Sequence, residues 1–217
     1  MALEDAILDE IRAALALDVA RNAAFDGWSA EAVTMAAAAH GVDPDVARLA
    51  FPDAVEMIDA WFAHVDAAML AELPPERLAA MKIRERITAL VEARLALLAP
   101  DREALRRALA ILALPQNIAR AARLGWRAAD AMWRAAGDTA TDYNHYTKRA
   151  ILAGVYAATV QVFLGDESHD YADTRGFLAR RIDGIMRFER VKGQLLGRGR
   201  DRLSLSRFIG RLRYPST

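Results

Sequence analysis

The chain has 217 residues, 29 basic and 29 acidic side chains, only 12 Gly and 7 Pro, and no Cys. The absence of Cys excludes disulfides, thiolate metal sites and thiol nucleophiles, and a chain of this length can bury a sizeable core, hiding roughly 70% of its unfolded surface. An Ala-, Leu- and Arg-rich sequence so poor in Gly and Pro predicts an all-α fold.

The zero net charge hides a polarity. Residues 1–80 carry 15 acidic and 4 basic side chains, and residues 81–217 carry 14 and 25. Arg180 to Arg213 alone holds 11 basic against 3 acidic residues, so this end is expected to meet something anionic.

In chain order, Leu3, Ile7, Ile11, Leu15 and Val19 recur at four-residue steps and predict an amphipathic helix from Leu3 to about Asn22. Ser29 is the expected N-cap of a helix over Ala30–His40 that Gly41 closes. Asp43-Pro44 opens a short helix that ends near Phe51-Pro52, and Asp53 caps a long one through Leu73. Pro74-Pro75 is the clearest break, followed by a helix from about Glu76 to Ala99. Pro100-Asp101 starts the next helix, and Pro115 restarts the chain toward a helix reaching about Ala136, where Gly137 stops it. Thr139-x-x-Asp142 has capping-box spacing ahead of a helix to about Leu164. Beyond Ala150 that helix is apolar nearly all round, the pattern of a central core helix. A loop at Gly165–Asp170, one more helix to about Val191 and a Gly-rich hinge complete the chain. The division expected is 1–74, 75–192 and 193–217.

The acidic, amphipathic start resembles neither a secretory signal nor a transit peptide. The longest apolar run, Ala150 to Leu164, is short for a bilayer span and contains Gln161. Both features predict a cytoplasmic protein that is not integral to a membrane.

The N-terminal unit has the layout of a helix-turn-helix domain, and Phe25-x-Gly27-x-Ser29 with Leu49-x-Phe51-Pro52 resembles the start of TetR-type repressors. Its would-be recognition helix, Asp43 to Phe51, offers Arg48 alone against two Asp, in a unit of net charge −11. Phosphate contacts need several cations. The unit is therefore expected to keep the shape without binding nucleic acid. A TetR-type ligand-responsive regulator is the alternative reading of the whole chain.

No nucleophile elbow, P-loop or dinucleotide fingerprint is present. Asp142-x-x-His145 is the one pair with metal-ligand spacing, and a di-metal bundle needs two Glu-x-x-His motifs and two further carboxylates. Neither an enzyme, a metal site nor a cofactor is expected.

The most informative stretch runs from Trp126 to Arg149. Trp126, Ala129, Asp130 and Trp133 share one helical face; Asp142, His145, Tyr146 and Arg149 share another on the following helix. Ile151, Gly154, Val155, Ala158 and Val162 continue as an apolar stripe, with Gly154 and Ala158 leaving room for close helix approach or a lipid tail. By spacing alone, core aromatics with a capping network are the favoured reading, ahead of a recognition surface.

Leu114-Pro115-Gln116-Asn117, Ala129-Asp130-Ala-Met132-Trp133, the run from Ala136 to Arg149 and Leu152-Ala-Gly154-Val-Tyr156 closely resemble the family of the ninth coenzyme Q biosynthesis protein. The likeness extends from Phe25-Asp-Gly-Trp28 to Arg180-Arg-Ile-Asp183, Met186-Arg-Phe188-Glu189 and the tail Arg207 to Pro215. It implies a TetR-like bundle of about ten helices with a vestigial helix-turn-helix unit and a C-terminal amphipathic helix, in a homodimer. It also implies a non-catalytic accessory protein of ubiquinone synthesis that binds isoprenoid lipid, phospholipid or a quinone intermediate. The partner implied is a hydroxylase of the pathway, the di-iron demethoxyubiquinone hydroxylase, met through Met132, Asp142, His145 and Tyr146. His145 stands where the family commonly has Trp, removing an aromatic anchor. Trp133, Ile151, Val155 and Tyr156 are the candidate lipid-pocket residues.

In the terminal segment Leu205, Phe208, Ile209 and Leu212 stand at helical spacing, flanked by Arg207 and Arg211. This is the composition of an interfacial helix for an anionic leaflet, with docking on its own bundle as the alternative. The family resemblance likewise implies peripheral attachment at the inner membrane.

Overall fold

A computed structural model describes residues 7–139 and 143–185 and, for Tyr143 and Asn144, the backbone alone. Among the described residues every regular element is helical: α1 Leu8–Asp26, α2 Ala30–His40, α3 Pro44–Ala50, α4 Ala54–Glu72, α5 Pro75–Ala79, α6 Ile83–Leu98, α7 Arg102–Leu112, α8 Ile118–Ala135, α9 Tyr143–Gly165 and α10 over residues 172–185, with short 3-10 turns between some of them. None of these helices is long and apolar enough to cross a membrane.

The caps are the expected ones. Ser29 Oγ accepts from the Ala32 amide, Asp43 from those of Asp45 and Val46, and Asp53 from those of Val55 and Glu56. Each supplies an acceptor to amides that a helix start leaves without partners. Helix α1 runs four residues past the expected Asn22, because Ala23 extends the buried stripe of Ile11, Leu15 and Val19 before Gly27 turns the chain at φ 73°. The expected start at Leu3 lies outside the described residues.

The single helix expected over Glu76–Ala99 is two. Helix α5 stops at Ala79 and α6 starts at Ile83, although the sequence between holds neither Gly nor Pro. The break is held by side chains of the second helix. Glu85 accepts from the Lys82 amide at 2.9 Å, and the Arg86 guanidinium donates to the carbonyls of Met81 and Ala79. Arg86 also reaches Ala136 O, 2.8 Å away at the end of α8.

Gly137 follows with φ +90°, and a Cβ built there would lie 3.2 Å from the Arg86 guanidinium. Gly137→Ala is expected to lower unfolding free energy by about 1–2 kcal/mol, from the left-handed backbone and the displaced Arg86. Denaturant melts read this, and a variant as stable as the parent would contradict the account.

Helix α4, not α9, is central. It packs against α1, α6, α7 and α8, burying Ile58, Trp61, Val65 and Met69. Helix α9 lies on α8 and α6; it buries Leu152, Val160 and Phe163 but leaves Gly154, Ala157 and Gln161 exposed. Its all-round apolar pattern therefore reports small residues on an outer face. One continuous core crosses the Pro74-Pro75 break. Trp28 packs against Trp61 at a tilt of 41°, with centroids 5.5 Å apart, and its indole N–H donates to Ala104 O in α7 at 3.1 Å.

Candidate functional site

Three features meet on the α8–α9 side of the bundle. The first is an apolar cavity of about 320 Å³ between α6, α9 and α10, a size at the lower end for ligand pockets. Ile83 and Ile87 line it from α6, Ile151, Leu152 and Val155 from α9, and Ile182 and Ile185 from α10. Trp133 of α8 closes one side, and Arg84, Thr147 and Lys148 supply the polar margin. The Trp133 indole N–H donates to Lys148 O at 3.0 Å, fixing the ring against α9. Arg84 pairs with Asp183 at 2.5 Å and ties α6 to α10 across the cavity.

Of the four residues expected there, Trp133, Ile151 and Val155 line the cavity. Tyr156 does not. It faces the interior on the other side of α9, where its hydroxyl accepts from Arg94 Nε at 2.9 Å. Arg94 is only 2% exposed, lies between the rings of Phe62 and Tyr156, and pairs with Asp66. Arg127 pairs with Asp59 and stands 3.6 Å from Asp66, so two cations and two carboxylates form a polar seam through the bundle.

The second feature is a charge ladder under the junction of α8 and α9. Arg149, 1% exposed, donates to Asp130 at 2.5 Å, to Asp138 at 3.0 Å and to His145 O at 3.1 Å. Lys148 holds Asp138 at 2.6 Å and Arg134 holds Asp130 at 2.8 Å. Burial pushes the Asp138 carboxyl up, but the hydrogen bonds and charges of Lys148 and Arg149 outweigh it and hold it below its ordinary range. Burial likewise opposes ionisation of Asp130, and Arg149 with Arg134 overrides it.

The third is an aromatic face. Trp126 of α8 lies 6.4 Å from the His145 ring and 6.0 Å from that of Tyr146, and the two α9 rings meet edge-on at 5.1 Å. Tyr146 is 61% exposed, whereas Trp126 and His145 are half-buried. The two Trp that share a face of α8 thus divide their roles, Trp126 beneath the aromatic surface and Trp133 at the cavity.

Comparison with known proteins follows the same geometry. The COQ9 family model matches residues 118–189, the span holding the ladder, the aromatic face and most of the cavity wall. The ubiquinone biosynthesis protein COQ9 of Rattus norvegicus is 36% identical over 180 residues, covering 80% of this chain and 58% of its own length. The Homo sapiens protein is 33% identical over the same share of this chain and 57% of its own. The chain belongs to the COQ9 family. It spans somewhat under three-fifths of the length of these curated relatives. Among solved structures, a TetR transcriptional regulator from Nitrosomonas europaea matches with TM-score 0.64 at 27% identity, covering 80% of this chain and 97% of that one. The fold is TetR-like.

In this COQ9-family chain the residues implied for a docking surface separate by depth. His145 and Tyr146 stand on the aromatic face. Met132 is 0% exposed, because its position on α8 points into the core, so its side chain is not presented on that face. Asp142 lies outside the described residues, as do Leu205, Arg207, Phe208, Ile209, Arg211 and Leu212. Sequence reasoning missed Ile83, Ile87, Ile182 and Ile185. The apolar pairs at i, i+4 on α6 and i, i+3 on α10 were the available signal. In the helix-turn-helix-like unit, Arg48 of α3 is engaged by Asp45 at 2.8 Å and by Thr34 at 3.1 Å. Among the described residues no group of three His, Asp or Glu side chains could hold a metal ion.

Proposed function

We propose that this protein is a non-catalytic accessory protein of ubiquinone biosynthesis that holds an isoprenoid lipid or quinone intermediate in the α6–α9–α10 cavity and presents it to a hydroxylase of the pathway. The observation that carries the reading is an apolar cavity that shares helices α8 and α9 with an exposed aromatic face. A tail that leaves water for this isoleucine-lined space gains roughly 25 cal/mol per Å² of apolar area buried. Partner binding favours rigid aromatic groups with a low entropy cost of ordering, as at Trp126 and Tyr146. The names of the relatives place them in ubiquinone biosynthesis. Membrane delivery is assigned to the interfacial helix read from Leu205 to Leu212, at the inner-membrane surface. Against the regulator reading, the only basic side chain of α3 is already tied to a carboxylate.

Organic extraction of the purified chain, followed by mass spectrometry, tests this directly. The parent is expected to release isoprenoid lipid and Val155→Glu to release at least tenfold less, since a carboxylate would have to be desolvated in the cavity. In the same preparations the parent should float with anionic vesicles, and a chain lacking residues 203–217 should not. Equal lipid in both proteins would overturn the cavity assignment, and unchanged flotation the membrane assignment.

A further inference from the structure

The ladder beneath α9 has an unequal count. Lys148, Asp138, Arg149, Asp130 and Arg134 alternate in sign, with three cations sharing two carboxylates. Arg149 in the middle is sealed, its side chain 2% exposed, and Arg134 at one end stands in solvent at 72%. The other end is Lys148, and it is at the cavity. Its ammonium stands 5.4 Å over the ring of Trp133, a wall of the cavity, and its side chain is 40% exposed. One of its three N–H donors goes to Asp138, whose charge is also drawn by Arg149. Arg84, the other cation of the margin, is matched by Asp183.

We propose that the cavity selects single-chain amphiphiles whose head carries an anionic oxygen, a carboxylate or a phosphate monoester, and that Lys148 is the residue that selects them. The head accepts from the uncommitted N–H groups of Lys148 while the tail lies along Ile151, Val155 and Ile185. This rests on the cavity being a lipid site, as proposed above. A charge-assisted hydrogen bond at a half-desolvated mouth is worth more than the neutral bond an ester or alcohol could make there.

Trp133 supplies the readout. The full chain is titrated at about pH 8, where the carboxyl is ionised, with terminally brominated decanoic acid and with its methyl ester, and tryptophan quenching is followed. The acid is expected to bind about tenfold more tightly than the ester, and Trp133→Phe should remove most of the quenching. Lys148→Met should erase the preference by weakening the acid alone, and Lys148→Arg should keep it, which separates charge selection from damage to the fold. Decyl phosphate displacing the acid would extend the site to phosphate heads; failure to displace it would confine the site to carboxylates and overturn the phosphate half. Equal affinity for acid and ester in the parent, or a preference that survives Lys148→Met, would overturn the inference. Absence of quenching by both ligands would instead overturn the cavity reading.

Discussion

Asp66→Ala is expected to cost about 3–5 kcal/mol of unfolding free energy, because it removes one partner of a buried ion pair. The carboxylate is the partner of Arg94, which has no route to water at 2% exposure, and it lies 3.6 Å from Arg127 Nε. Its removal leaves a buried guanidinium with the Tyr156 hydroxyl and two aromatic faces as its remaining contacts. The double change Asp66→Leu with Arg94→Met should recover most of the loss, because replacing both ions by apolar groups of similar volume removes the desolvation cost together with the attraction. Urea midpoints of the parent, the single and the double variant decide it. A single variant within about 1 kcal/mol of the parent, or a double variant no better than the single, would contradict this role for the seam.

Arg149→Met is expected to cost about as much near neutral pH, and its deficit should shrink as the solution is acidified. In the parent, the folded-state pKa values of Asp130 and Asp138 are depressed. Depressed carboxyls contribute stability that is present above their unfolded value, about 4, and is lost as pH falls through the lower folded values. Without Arg149 the two carboxylates keep their burial but lose their shared cation, so they destabilise the variant most where they are charged. Protonation relieves them. The difference in urea midpoint between parent and variant should therefore narrow from pH 7 toward about pH 3. A gap that stays constant over that range would mean that Arg149 acts by packing alone.

What the chain discloses in advance follows the reach of each signal. The caps at Ser29, Asp43 and Asp53 and the stop at Gly137 depend on neighbours within three residues, and all were legible. The break before Ile83 was not, because the groups that satisfy it belong to Glu85 and Arg86 of the following helix, one of which also serves α8. Half of the cavity could be read from the stripe on α9. The isoleucines of α6 and α10 could not, since periodicity says which face of a helix is apolar but not which helices share a space. Tyr156 was misplaced for a related reason. It follows Val155 by about 100° around the helix, which turns it from the cavity to Arg94. Met132 shows the limit of family likeness, which transfers a role without a depth.

The packed pair Trp28 and Trp61, with the indole bond to Ala104, bears on how far this chain could be dissected. Cutting it at the two prolines would not free an independent cavity module. It would strip α6, α7 and α8 of the helix they share. The acidic unit that resembles a DNA reader is thus structural masonry for the other half, indispensable whether or not it touches any molecule of its own.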